Sequence, residues 1–197
     1  MKEINFKNDD EKYNQRYDPI GAKLMKSRTI MITDVITKRL AQRTIAQLLI
    51  MEQEDPEKEI KVFINSPGGD ADAGFAIYDI MKFVKPRIIN ICAGVAASAA
   101  VIILLGTGRG NRISLPNARI LIHQPSTGVH GTASDIQIEA SEILKCREKI
   151  NRMIAEETNQ KFEKVENDTK RNYWMSAEEA VKYGLISKII KTHSDLS

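Results

Sequence analysis

The chain has 197 residues, 42% hydrophobic and 28% charged, a balance that excludes a disordered or membrane-embedded protein. That length suits one domain and buries enough surface to need no covalent staples. With 29 basic against 26 acidic side chains the net charge is only +3, which argues against nucleic-acid binding and its concentrated basic face.

Residues 1–18 are polar and charged with no apolar run, so a mobile segment and no secretory leader are expected there. Leu40, Ala41, Ile45, Leu48 and Leu49 share one face of a helix over 40–52. Ile60, Val62 and Ile64 alternate as a strand that Ser66-Pro67-Gly68-Gly69 ends. Ala73, Ala76, Ile77, Ile80, Met81 and Val84 follow helical spacing until Pro86. A buried strand is expected over 88–92, a buried helix over 98–105 after a small-residue turn, and a strand over 119–124 ended by Pro125. Ile136, Ala140, Ile143, Ile150 and Ile154 mark a long helix over 132–158. Pattern alone makes it an ordinary surface helix. Ser176 to Glu179 has the form of a capping box, Gly184 is a natural helix stop, and a strand over 185–190 closes the chain.

This alternation implies one α/β domain over 19–197 with mostly parallel, buried strands. The longest apolar run, 95–105, is far short of a membrane span. No membrane association is expected. The expected address is cytoplasmic, with Cys92 and Cys146 both reduced.

Three short motifs could carry chemistry. Gly68 and Gly69 close a strand before a helix, where backbone N–H groups can face an anion. Two glycines alone favour a plain strand-to-helix turn, and no Walker A or Rossmann pattern follows. Ser98 lies among small residues at a helix start, which gives a nucleophile open approach and the Ala99 N–H beside it. It is not a Gly-x-Ser-x-Gly elbow, and a packed, satisfied hydroxyl is its ordinary reading. His123 ends an apolar strand before Pro125, at a sheet rim where α/β sites sit. His130 and His193 are weaker candidates. No two histidines have metal-ligand spacing, so no metal site is expected. Together the motifs form a possible constellation: Gly69 and Ala99 N–H groups for an oxyanion, Ser98 to attack, His123 to take its proton.

Those residues, with 55–60, 63–69, 76–79, 94–99, 115–117, 122–125 and 176–180, make the chain resemble ClpP, the proteolytic subunit of the ATP-dependent Clp protease, over 19–191. The resemblance implies a crotonase-like β/α spiral with a projecting handle helix at about 132–158. It implies a serine endopeptidase that cleaves unfolded proteins inside two stacked heptameric rings, a tetradecamer. The partner is an AAA+ unfoldase of the Clp family, which alone uses ATP, so this chain needs no cofactor. Ser98 matches the nucleophile, His123 the base, and Gly69 and Ala99 the oxyanion donors. Residues 128–132 match the segment that pairs with extended peptide beside the cleft.

Departures from the family pattern carry as much information. Asn172 stands where the third triad member is an Asp, and the nearby Asp168 serves only if its loop rearranges. Lys170 replaces an acidic residue beside Arg171 in the ring-to-ring contact. Lys61 replaces an aromatic residue of the unfoldase-docking pocket, and the N-terminus lacks the usual apolar, Pro-containing start. These changes resemble the divergent second ClpP paralogues that act in mixed rings with a standard one. A catalytically silent structural partner is the alternative, and an acyl-CoA enzyme of the crotonase superfamily the more distant one.

Overall fold

Every second residue of Ile60–Ser66 is buried, and the strand pairs in parallel with a neighbour on each side, so it becomes an interior strand of the sheet. The protein was studied as a computed structural model that describes residues 19–126 and 128–196. The expectation for residues 1–18 lies outside the described residues. In chain order the elements are α1 (Pro19–Lys26), β1 (Thr29–Ile32), α2 (Lys38–Glu54), β2 (Ile60–Ser66), α3 (Ala71–Phe83), β3 (Ile88–Ala97) and α4 (Ala99–Leu104). There follow β4 (Arg112–Ser114), β5 (Arg119–Ile122), α5 (Ala133–Thr158), α6 (Phe162–Asp168), β6 (Tyr173–Ser176), α7 (Ala177–Tyr183) and β7 (Lys188–Ile189). The α/β class agrees with the sequence reading.

The sheet runs β1-β2-β3-β4-β7, all parallel, and it branches at β3. Residues Asn90 to Cys92 pair with β4, while Val95 to Ala97 pair with β5. The β2–β3 register slips by two residues between the Ile64↔Cys92 and Ser66↔Ala96 pairs. Gly94 sits in that slip at φ +114, where a Cβ would come within 2.5 Å of Asn65 Oδ1. Only glycine fits, and the bend it permits swings β3 from one neighbour to the other. The expected strand over 88–92 is therefore extended to Ala97, and its last residues deliver Ser98. Strand β6 then joins β5 antiparallel.

Helix α5 begins with a full capping box between Thr132 and Asp135. Its last turns are anchored by buried Ile150, Asn151, Ile154, Ala155 and Thr158, but its first turns are exposed on all sides. Ile136, Ile138 and Leu144 are 45%, 61% and 57% exposed. This helix projects, contrary to the ordinary surface helix expected from pattern alone: its large apolar residues Ile136, Ile138 and Leu144 stay exposed instead of packing on the core.

The root of α5 is fixed by a buried charge. Arg112, wholly buried, donates to the carbonyls of Thr107, Leu105 and Glu157 and to the Glu157 carboxylate. That carboxylate also accepts from Tyr78 Oη at 3.0 Å and Lys82 Nζ at 2.9 Å. Among the described residues no helix is long and apolar enough to cross a membrane, and no group of three His, Cys, Asp or Glu could hold a metal ion.

Candidate active site

Ser98 stands between the last residue of β3 and the first of α4, at φ +55 and ψ −122. An L-residue adopts that conformation only under constraint, at about 1–3 kcal/mol. The constraint is visible on both sides. The Ser98 N–H donates to Leu121 O at 3.0 Å, and all six residues of α4 are buried. Ser98 is thus the cap of the helix rather than its first residue, and the chain turns sharply at the nucleophile candidate. A serine carries no mark of such a turn, since glycine is the usual occupant of positive φ.

The Gly68–Gly69 turn packs directly against it. A Cβ on Gly68 would lie 2.5 Å from Ala97 O and 2.8 Å from Ser98 Cβ. Gly69, at φ +149, bridges to Ile36, and a Cβ there would lie 2.3 Å from Ile36 O. The N–H groups on either side of Gly69 are engaged, Gly68 to Ser66 Oγ at 3.2 Å and Asp70 to Ile36 O at 2.9 Å. The Gly69 N–H makes no such bond among the described residues. Gly69, Ser98 and Ala99 line one cleft. We expect Gly69→Ala to remove any reactivity of Ser98 toward fluorophosphonates, because the turn must shift to relieve the clash. Labelling followed by mass spectrometry checks this, and labelling at the wild-type rate would remove Gly69 from the site.

His123 lies one residue beyond the end of β5 and lines the same cleft. The strand stops at Ile122, short of the expected 119–124, because Gln124 leaves the ladder to bond Thr169 O. His123 Nε2 is buried and has no hydrogen-bond partner. Burial lowers the His123 pKa below its ordinary value, so the ring is a neutral base at pH 7. The antiparallel pairs run from Arg119↔Ser176 to Ile122↔Tyr173. Asn172 directly precedes Tyr173, the partner of Ile122, and it also lines the cleft.

Asp168 is directed elsewhere. Its carboxylate accepts from Tyr183 Oη at 2.9 Å and Lys164 Nζ at 2.5 Å. Lys170 is exposed and its Nζ donates to Asn167 Oδ1 at 3.3 Å, and Arg171 is exposed beside it. Residues 128–132 form no strand, and His130 is exposed. The cleft of about 810 Å³ runs from Pro67 and Ser98 past His123 to Phe75, Ile102 and Ile150, where α5 forms its far wall. Open at one side and apolar at its floor, it has room for an extended peptide. Sequence reasoning singled out Gly69, Ser98, His123 and Asn172 of this cleft, but not Asp70, Asp72 or Ser126. It missed the wall supplied by α5, whose inward residues look like an ordinary helical stripe.

The arrangement is a hydroxyl, a neutral imidazole and an amide lining one cleft, beside two glycine- and alanine-bearing turns. The chain is similar to an Asn-to-Asp mutant of ClpP1 from Listeria monocytogenes, with 41% identity over 90% of this chain and 99% of that one, at a TM-score of 0.84. The pattern of the Clp protease family matches residues 11–193, and the chain belongs to that family.

Proposed function

We propose that the chain is a serine endopeptidase subunit of an ATP-dependent Clp protease that cleaves unfolded polypeptides. The observation that carries this reading is the strained Ser98 opening onto the same cleft as the buried, unpartnered Nε2 of His123. Ser98 Oγ attacks the scissile carbonyl carbon as His123 Nε2 takes its proton. The N–H groups of Gly69 and Ala99 receive the oxyanion. The imidazolium then protonates the departing amine. Water, deprotonated by His123, releases the acyl group from Ser98. Asn172 orients the ring from the neighbouring strand but supplies no charge to the imidazolium.

The assembly belongs to the same reading. Ile136, Ile138 and Leu144 on α5 are large apolar side chains in need of a covering surface. A second ring of the same or a paralogous chain covers them, giving heptameric rings, a tetradecamer and a cytoplasmic chamber served by an AAA+ unfoldase. No cofactor enters at this site. Asn172 and Lys170 favour weak activity alone and full activity in mixed rings with a second ClpP paralogue. They also favour a second reading, a catalytically silent structural partner.

A fluorophosphonate probe separates the two. The peptidase reading expects Ser98 to be labelled in the chain alone or mixed with a standard paralogue, and Ser98→Ala to abolish the label. No labelling in either setting leaves only the structural role.

A further inference from the structure

We infer that Gln124 is a positioning residue for the triad, holding Asn172 in register with His123 where the strand ladder has already ended. This rests on the peptidase reading of Ser98 and His123. The β5–β6 ladder closes at Ile122↔Tyr173. A continued ladder would pair Gln124 with Arg171. Instead the Gln124 N–H donates to Thr169 O at 2.7 Å, and its side-chain Nε2 donates to Lys170 O at 3.0 Å. One residue thus occupies two successive carbonyls of the opposite chain.

The consequence lies in the three residues between. Residues 170–172 lie outside the ladder, in the turn that leads into β6, and Lys170, Arg171 and Asn172 are all exposed. A turn of this kind has no ladder bonds of its own and takes its position from its two ends, Thr169 and Tyr173. Thr169 is pinned, being 1% exposed and bonded through Oγ1 to buried Asn151 on α5 at 2.9 Å. Gln124 ties that fixed point to the residue immediately after His123. The imidazole and the Asn172 amide are therefore measured from the same anchor. Gln124 does not face the reacting atoms, and its influence passes through Asn172.

The test is a mutant cycle between the two positions, read as the rate of fluorophosphonate labelling of Ser98 in the assembled protein. Gln124→Leu keeps the volume and removes the amide donor. In the Asn172→Asp background we expect it to slow labelling about tenfold, the scale of one well-placed hydrogen bond. In the Asn172→Ala background, with no side chain left to position, the same change moves the rate less than about twofold. The acid limb of the labelling rate shifts downward with Gln124→Leu only where residue 172 is Asp, because only a carboxylate held close raises the imidazole pKa. Equal slowing in both backgrounds makes Gln124 merely structural and overturns this inference, leaving the peptidase reading intact. Absence of labelling in every form overturns both.

Discussion

Asn172→Asp raises peptide turnover by up to about 10⁴-fold, the size of the loss that the reverse exchange causes in a Ser-His-Asp protease. That is roughly 5.5 kcal/mol of transition-state stabilisation. The argument is electrostatic. Proton transfer from Ser98 leaves a positive imidazolium in a site where burial already disfavours charge on His123. An amide at position 172 orients the ring but cannot offset that charge. A carboxylate in the same register can, and no larger movement is needed, since Asn and Asp are isosteric. The pH profile changes with it. In the wild type the acid limb of kcat/KM lies below the ordinary imidazole range, because the His123 pKa is lowered by burial. In the variant the neighbouring negative charge raises that pKa, so the limb moves to higher pH even as the plateau rises. The measurement is hydrolysis of a short fluorogenic peptide between about pH 5 and 9. An unchanged or lower plateau would mean that misalignment of Ser98 and His123, not missing charge, limits the enzyme.

Removing the carboxylate of Glu157 has the largest expected effect on stability. Glu157→Ala leaves the wholly buried Arg112 guanidinium with its carbonyl acceptors and no counter-charge. Uncompensated buried charge of this kind costs about 3–5 kcal/mol. For a chain of this size each kcal/mol lowers Tm by about 2–4 °C. Tyr78 and Lys82 lose their common acceptor at the same time, so α3 loosens from the root of α5. Burial alone would raise the Glu157 pKa, but hydrogen bonds from Lys82 and Arg112 outweigh it and lower the pKa overall. Its contribution is therefore complete above the unfolded carboxyl value of about 4.3 and is lost as pH falls through the lower folded value. The gap in Tm between wild type and Glu157→Ala should narrow on acidification below that point. Thermal unfolding at neutral and acid pH checks both statements, and a wild-type Tm in the variant at neutral pH would show that the guanidinium is satisfied by carbonyls alone.

Where side-chain chemistry and backbone need coincide, the sequence was legible. Ser176 and Glu179 form the capping box their spacing announces, and Gly184 stops α7 in the left-handed conformation. The helices over 40–52 and 73–84 were found within a few residues. Three short strands, β1, β4 and β6, were not. β1 has four residues, and its neighbours are polar. Strand β6 carries exposed Tyr173 and Trp174 because it pairs only with β5, and an edge strand lacks the buried stripe that pattern reading relies on. Missing β6 also hid the reason that residue 172 meets residue 123. Their sequence separation says nothing, whereas the Ile122↔Tyr173 pair brings both to the same end of the β5–β6 ladder. Gln124 was read only as the tail of a strand, since a glutamine before Pro125 has no periodic or compositional mark.

The turn at Ser98 has a consequence for how this protein fails. A backbone in that conformation stays put only while the structure around it is rigid, and the rigidity comes from α4, every residue of which is buried. Any loosening of that helix lets Ser98 relax toward ordinary geometry, a change that releases free energy locally. On the peptidase reading, Ser98 is therefore the first group lost to damage in the core behind it. As the interior softens with heat or mutation, activity disappears while the rest of the fold still stands, and a damaged subunit is disarmed before it is unfolded.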